Sequence, residues 1–121
     1  MSGISNYAEN KLLDTLRAQS FSVSNVYVKL HTGDPGEDGT SNAATETTRE
    51  EVTFNAASSG SMASSATVEW TNVSTTETYT HFSLWDNSTG GNCLWKGALS
   101  SSAAVTAGDT FQITSLTLTL D

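Results

Sequence analysis

The residues of this chain that could do chemistry are few and scattered. His31 and His81 are its two histidines, and Cys93 is its single cysteine. Many serines allow a Ser-His-Asp constellation to be drawn on paper, but none stands in a Gly-x-Ser-x-Gly turn that would present its hydroxyl as a nucleophile. Cys93 has no partner nearby in sequence to hold it as a thiolate, and in a strand it reads as a small buried hydrophobe. Asp34, Glu37 and Asp38 offer oxygen ligands of the kind calcium takes from a flexible loop, without the spacing of an EF-hand, and acidic turn residues are most often merely solvated. Two histidines on different strands with no cysteine partners do not make a zinc site. Gly90-Gly91 lies between two strands rather than between a strand and a helix, so it is no phosphate cradle. The expectation is a non-enzymatic chain with no catalytic residue, cofactor or metal. Trp70, Trp85 and Trp95 have two possible uses, since aromatic rings either fill a core or subunit interface, or stack on sugar rings.

Composition narrows the partners. The chain has 121 residues, a size that suits a single domain, 1–121, around one core. Its net charge is −8, and its five basic residues, Lys11, Arg17, Lys29, Arg49 and Lys96, form no patch along the sequence. Nucleic acid is therefore not an expected partner, and an anionic membrane would repel the chain. No apolar run approaches the roughly 20 residues of a membrane helix, and the start MSGISNYAEN has neither the basic nor the apolar region of a signal peptide. A lone cysteine forms no intramolecular disulfide, which fits folding in a reducing cytosol.

These residues need elements to position them. Ser and Thr make up about a third of the chain, interspersed with Val, Phe, Tyr and Trp, a mixture that suits strands. The spacing predicts one helix over residues 6–19, with Asn6 as N-cap and Glu9 three residues on. Its stripe of Ala8, Leu12, Leu13 and Leu16 must pack on the sheet or on a neighbour. Alternation places a strand at 26–31, with Val26, Val28 and Leu30 on one face. The turn formers from Thr32 to Gly39 then open a long exposed loop to about Thr48. Further strands are expected at 50–55, 67–71, 79–85, 93–99, 110–113 and 115–120, with residues 86–92 as a hairpin loop. If Trp85 pairs with Cys93, Phe82, Leu84 and Leu94 share one face, and His81, Trp85, Cys93 and Trp95 the other. Two apolar faces need two covers, an opposing sheet on one side and the helix or a neighbouring subunit on the other. The fold class is mostly β, an antiparallel sandwich or partly open barrel with one N-terminal helix.

The run Leu30-His31-Thr32-Gly33-Asp34-Pro35-Gly36-Glu37-Asp38-Gly39 resembles the hallmark of a family of small tailed-bacteriophage proteins, a strand entering an LHT-x-DPG-x-x-G loop. Such proteins are commonly labelled tail fibre or minor tail proteins. The Glu9-to-Asp14 helix, Glu51-Val52-Thr53-Phe54, Thr80-to-Asp86 and Ala107-Gly108-Asp109-Thr110 extend the likeness over nearly the whole chain. It departs at Thr47-Thr48-Arg49, where relatives tend to carry Gly-Gly-x-Tyr-x-Arg. The resemblance implies a virion structural protein made in the bacterial host cytoplasm, attached to the tail or fibre or decorating the capsid. Its partners would be other virion proteins and further copies of itself. The alternative is a carbohydrate-binding module for host glycans. The interaction candidates are His31, Asp34, Pro35, Gly36, His81, Trp85 and Trp95.

Overall fold

Alternating apolar and polar positions give strands wherever the sequence carries them for more than a few residues. The computed structural model describes residues 3–120. In chain order the elements are β1 (Gly3–Ile4), α1 (Asn6–Thr15), β2 (Val26–His31), β3 (Glu50–Val52), β4 (Ser61–Ala63), β5 (Val68–Trp70), β6 (Glu77–Trp85), β7 (Cys93–Val105), β8 (Phe111–Ile113) and β9 (Thr117–Thr119). A five-stranded sheet has the order β1-β7-β6-β2-β3, and two ribbons, β4-β9 and β5-β8, stand beside it. All pairings are antiparallel. The sheets do not close into a barrel.

The core lies between the large sheet and the ribbons. Val28, Leu30, Val52, Phe82 and Leu84 from the sheet meet Val68, Trp70, Ile113, Leu116 and Leu118 from the ribbon side. Phe111 bridges two core rings, with its centroid 5.7 Å from Trp70 and 5.2 Å from Tyr79. Burial pushes the Tyr79 hydroxyl up to about 12.

Two bulges reshape the central hairpin. Leu84 pairs with Trp95 while Trp85 pairs with Cys93, so Leu94 is an extra residue in β7. A strand's side chains alternate, so one inserted residue sends those beyond it to the opposite face. Trp95 therefore joins Leu84 and Phe82 on the core side, not Trp85 and Cys93 as simple alternation predicts. Further along, His81 pairs with Ala98 and Tyr79 with Ala103, setting residues 99–102 against Thr80 alone. On its outer side β7 meets β1 only at Trp95 and Lys96, and residues 97–105 have no other strand beside them among the described residues.

The helix differs from expectation at both ends. Ser5, not Asn6, is the N-cap, because its hydroxyl accepts the Ala8 N–H at 3.2 Å while its own O–H reaches the Cys93 carbonyl. The helix stops at Thr15 rather than Gln19, since Ala18 takes φ +66° and the Gln19 N–H folds back to the Asp14 carbonyl, a left-handed closure. Only Ala8 is buried, and the leucine stripe is left open.

Candidate functional site

The second face of the large sheet carries Tyr27, Lys29, His31, His81, Ser83, Trp85, Cys93 and Lys96 in register. Its cover is the segment between β2 and β3, residues 32–49. The sequence reads that segment as exposed, yet Pro35, Gly39, Ala44 and Glu46 within it are buried. Its first half is a chain of short turns. The Asp34 carboxylate accepts the Gly36 N–H at 3.0 Å, Gly39 N–H donates to the Gly36 carbonyl, and Ser41 N–H donates to that of Pro35. The return is anchored by carboxylates. Glu77 accepts the Thr45 and Glu46 N–H groups at 3.0 Å each, and Glu46 accepts that of Ser74 at 2.8 Å.

Gly39 is where this cover touches the sheet. Its φ is +74°, and a Cβ there would lie 2.6 Å from Cys93 Sγ and 2.9 Å from the Trp85 ring. Only a residue without a side chain fits both constraints.

Beneath the loop runs a relay of hydrogen bonds. The Trp85 indole N–H donates to Ser83 Oγ at 2.7 Å, Ser83 Oγ is 2.7 Å from His31 Nε2, and His31 Nδ1 is 2.9 Å from the Ser41 carbonyl. A carbonyl only accepts, so Nδ1 carries the proton, Nε2 accepts, and the Ser83 hydroxyl donates to it. The Ser–His contact resembles a nucleophile and its base. Both residues are fully buried, however, so no substrate reaches the hydroxyl. The relay instead ties loop to sheet. Burial lowers the His31 pKa below its ordinary value, against the raising effect of the Ser41 carbonyl, and so favours the neutral ring that the relay needs. Cys93 is equally enclosed, and burial pushes its thiol up to about 11, away from the thiolate that reacts.

Charge closes the two rims. The buried Lys96 ammonium lies 3.3 Å from Asp34 and 3.5 Å from Glu37. The Asp34 carboxyl is held well below the usual carboxylate range by the Gly36 N–H first and by Lys96 second. Two of the three carboxylates read as cation ligands thus surround an internal ammonium, while Asp38 accepts from Thr40. At the other rim the Arg49 guanidinium lies 4.3 Å from the Trp85 ring centroid and donates to the Asn87 and Gly90 carbonyls at 2.8 and 2.7 Å. One side chain thereby covers Trp85 and fastens the hairpin loop 86–92.

Of the residues singled out from sequence, His31, Asp34, Pro35, Gly36 and Trp85 come together here. His81 shares the face opposite His31 but bonds its neighbour Thr80 at 2.8 Å. Trp95 is on the other side of the sheet. Trp85 is only 6 % exposed, so it presents no open ring. Ser83, Lys96, Arg49 and Gly39 were missed as partners. Simple alternation would set Ser83 opposite Trp95, and only the bulge at Leu94 brings Ser83 opposite Lys96.

Across the sheet, on the open side of β7, a groove of about 840 Å³ has Phe82, Trp95 and Phe111 in its wall with Ser100, Gln112 and Thr117, and no charged residue lines it.

A family model described as podophage GP4 fiber I protein gp80 matches residues 3–121. No curated protein matches the chain.

Proposed function

Because the chain belongs to the podophage GP4 fiber I protein gp80 family, a phage fibre family of structural virion proteins, we propose that it is a non-enzymatic subunit attached to the tail or its fibres. The observation that carries this reading is the match itself, which spans residues 3–121. The site geometry supports it. The buried polar groups are spent on holding a loop against a sheet, and the Ser83–His31 pair is sealed from solvent. Such a face supplies a rigid scaffold whose exposed surfaces make protein contacts. The test is immunogold microscopy and quantitative mass spectrometry of purified particles. Label at the tail, with a copy number matching the fibres, is expected. Label over the capsid would replace tail attachment with decoration, and absence from particles would remove both.

A second reading, glycan binding for host attachment, is favoured by the uncharged groove beside β7, where an indole stands among hydroxyl and amide groups, the pairing of stacking surface and hydrogen-bonding groups that suits a neutral sugar. Trp95 is the residue to test, on a glycan array with Trp95→Ala. Trp85→Ala, on the enclosed face, is the control. No binding by the native chain, or binding indifferent to Trp95→Ala, would remove this reading.

A further inference from the structure

An amphipathic helix gains most of its stability by burying its apolar stripe. α1 buries only Ala8, and Leu12, Leu13 and Leu16 are 38, 64 and 85 % exposed. At about 100° per residue these leucines lie on one stripe with Glu9, and Arg17 follows at its far end. The apolar surface does not end there. Beside Leu12 it continues into a groove of about 350 Å³ lined by Ile4, Phe21, Val23, Phe54, Met62 and Leu120, the last 48 % exposed.

Charge indicates what covers this line. The chain carries a net −8, so most of its surface repels another copy. Three of its five basic residues, Lys29, Arg49 and Lys96, sit at the loop-covered face, Lys29 and Arg49 against Trp85 and Lys96 between Asp34 and Glu37. The other two, Lys11 and Arg17, belong to α1 and the turn after it, where they balance Glu9 and Asp14. The helix is therefore a neutral surface on an acidic molecule. Its leucine line is also polar in the directional sense, with an acid at the N-terminal end and a base at the C-terminal end. Side by side in the same direction, two copies would oppose Glu9 to Glu9 and Arg17 to Arg17. Head to tail, they oppose Glu9 to Arg17 twice, with Leu13 on the two-fold axis. That arrangement complements itself, as an isologous contact must. Arg17's present partner, Asp14, is 3.8 Å away and both are exposed, a contact that exchanges at little cost.

We propose that the α1 leucine line is a self-association surface on which a second copy of this chain docks antiparallel, helix against helix. This deepens the virion-subunit reading by naming where copies meet, and the two fail separately. Absence from particles removes that reading, whereas a monomeric chain in solution removes this one.

The test is sedimentation velocity of the full chain across the micromolar range. The native chain should shift from monomer to dimer with concentration. Leu13→Glu and Leu16→Glu should each hold it monomeric with an unchanged circular dichroism spectrum, because both side chains are largely exposed. Glu9→Arg alone and Arg17→Glu alone should weaken the dimer at least tenfold, and the double reversal should restore it. A native chain that stays monomeric throughout, leucine variants that associate like the native chain, or a double reversal as weak as the singles would overturn the proposal.

Discussion

Gly39 shows how much a single position decides. A methyl group there meets the Cys93 sulfur and the Trp85 ring while the backbone stays at positive φ. Gly39→Ala should cost about 2–4 kcal/mol, combining left-handed strain with overpacking. The thermal midpoint should fall by on the order of 10 °C. Gly36→Ala, whose Cβ would come no closer than 3.4 Å to Ser41 Oγ, should lose less. Equal losses would show that φ alone matters. His31 gives a pH dependence. Burial holds its pKa below 6.5 in the folded chain, so the unfolded chain takes up the proton first as pH falls. Stability is therefore fully present above about pH 6.5 and declines below it, by at most about 1.4 kcal/mol per pH unit from this group. Chemical denaturation between pH 7.5 and 5 should show the decline in the native chain and a flatter profile in His31→Gln. His31, Asp34 and Trp85 were legible in the sequence as unusual residues. Their partners were not, because Ser83 is one serine among many and only the folded register sets it beneath the loop.

At the scale of elements, the strands with sustained alternation were legible and the irregular ones were not. Residues 26–31 match β2 because apolar and polar positions alternate without interruption. β4 lies between the strands expected at 50–55 and 67–71, where none is expected, since Ser61, Met62 and Ala63 carry no strand signal and their partner β9 comes from the far end of the chain. The Leu94 bulge had no sequence mark either, and it alone moved Trp95 to the other face. The helix begins at Asn6 as expected, but its cap is one residue earlier. Ser5 and Asn6 are both good caps, and the choice is made by the Cys93 carbonyl, which takes the Ser5 hydroxyl. Ser5→Ala should thus cost more than an isolated cap, about 1–2 kcal/mol. Hydrogen exchange should quicken first at Ala8 and Glu9. If exchange there is unchanged, the helix is held by its apolar contacts and not by the cap.

For the whole molecule, pairings between distant segments dominate. β1 with β7, β4 with β9 and β5 with β8 each join residues far apart in sequence, and one apolar cluster takes side chains from the large sheet and from both ribbons. Such a chain should unfold as one domain. Calorimetry is expected to show a single transition with equal van't Hoff and calorimetric enthalpies, the latter about 0.7 kcal/mol per residue near 60 °C. Two resolved transitions would instead separate the ribbons from the sheet. The same long-range closure predicts slow folding for the chain's size.

The four residues that β7 carries against Thr80 have a consequence for aggregation. A straight, uncharged, proline-free strand border is a template for fibril growth, because its free amides and carbonyls accept any passing strand. Residues 97–105 have that composition, and neither a lysine nor a proline guards them. The irregular register at 99–102 interrupts the β6–β7 ladder, and bulges of this kind twist an edge away from the flat border a neighbouring strand needs. What looks like a defect in the hairpin is thus expected to work against edge-to-edge association of chains.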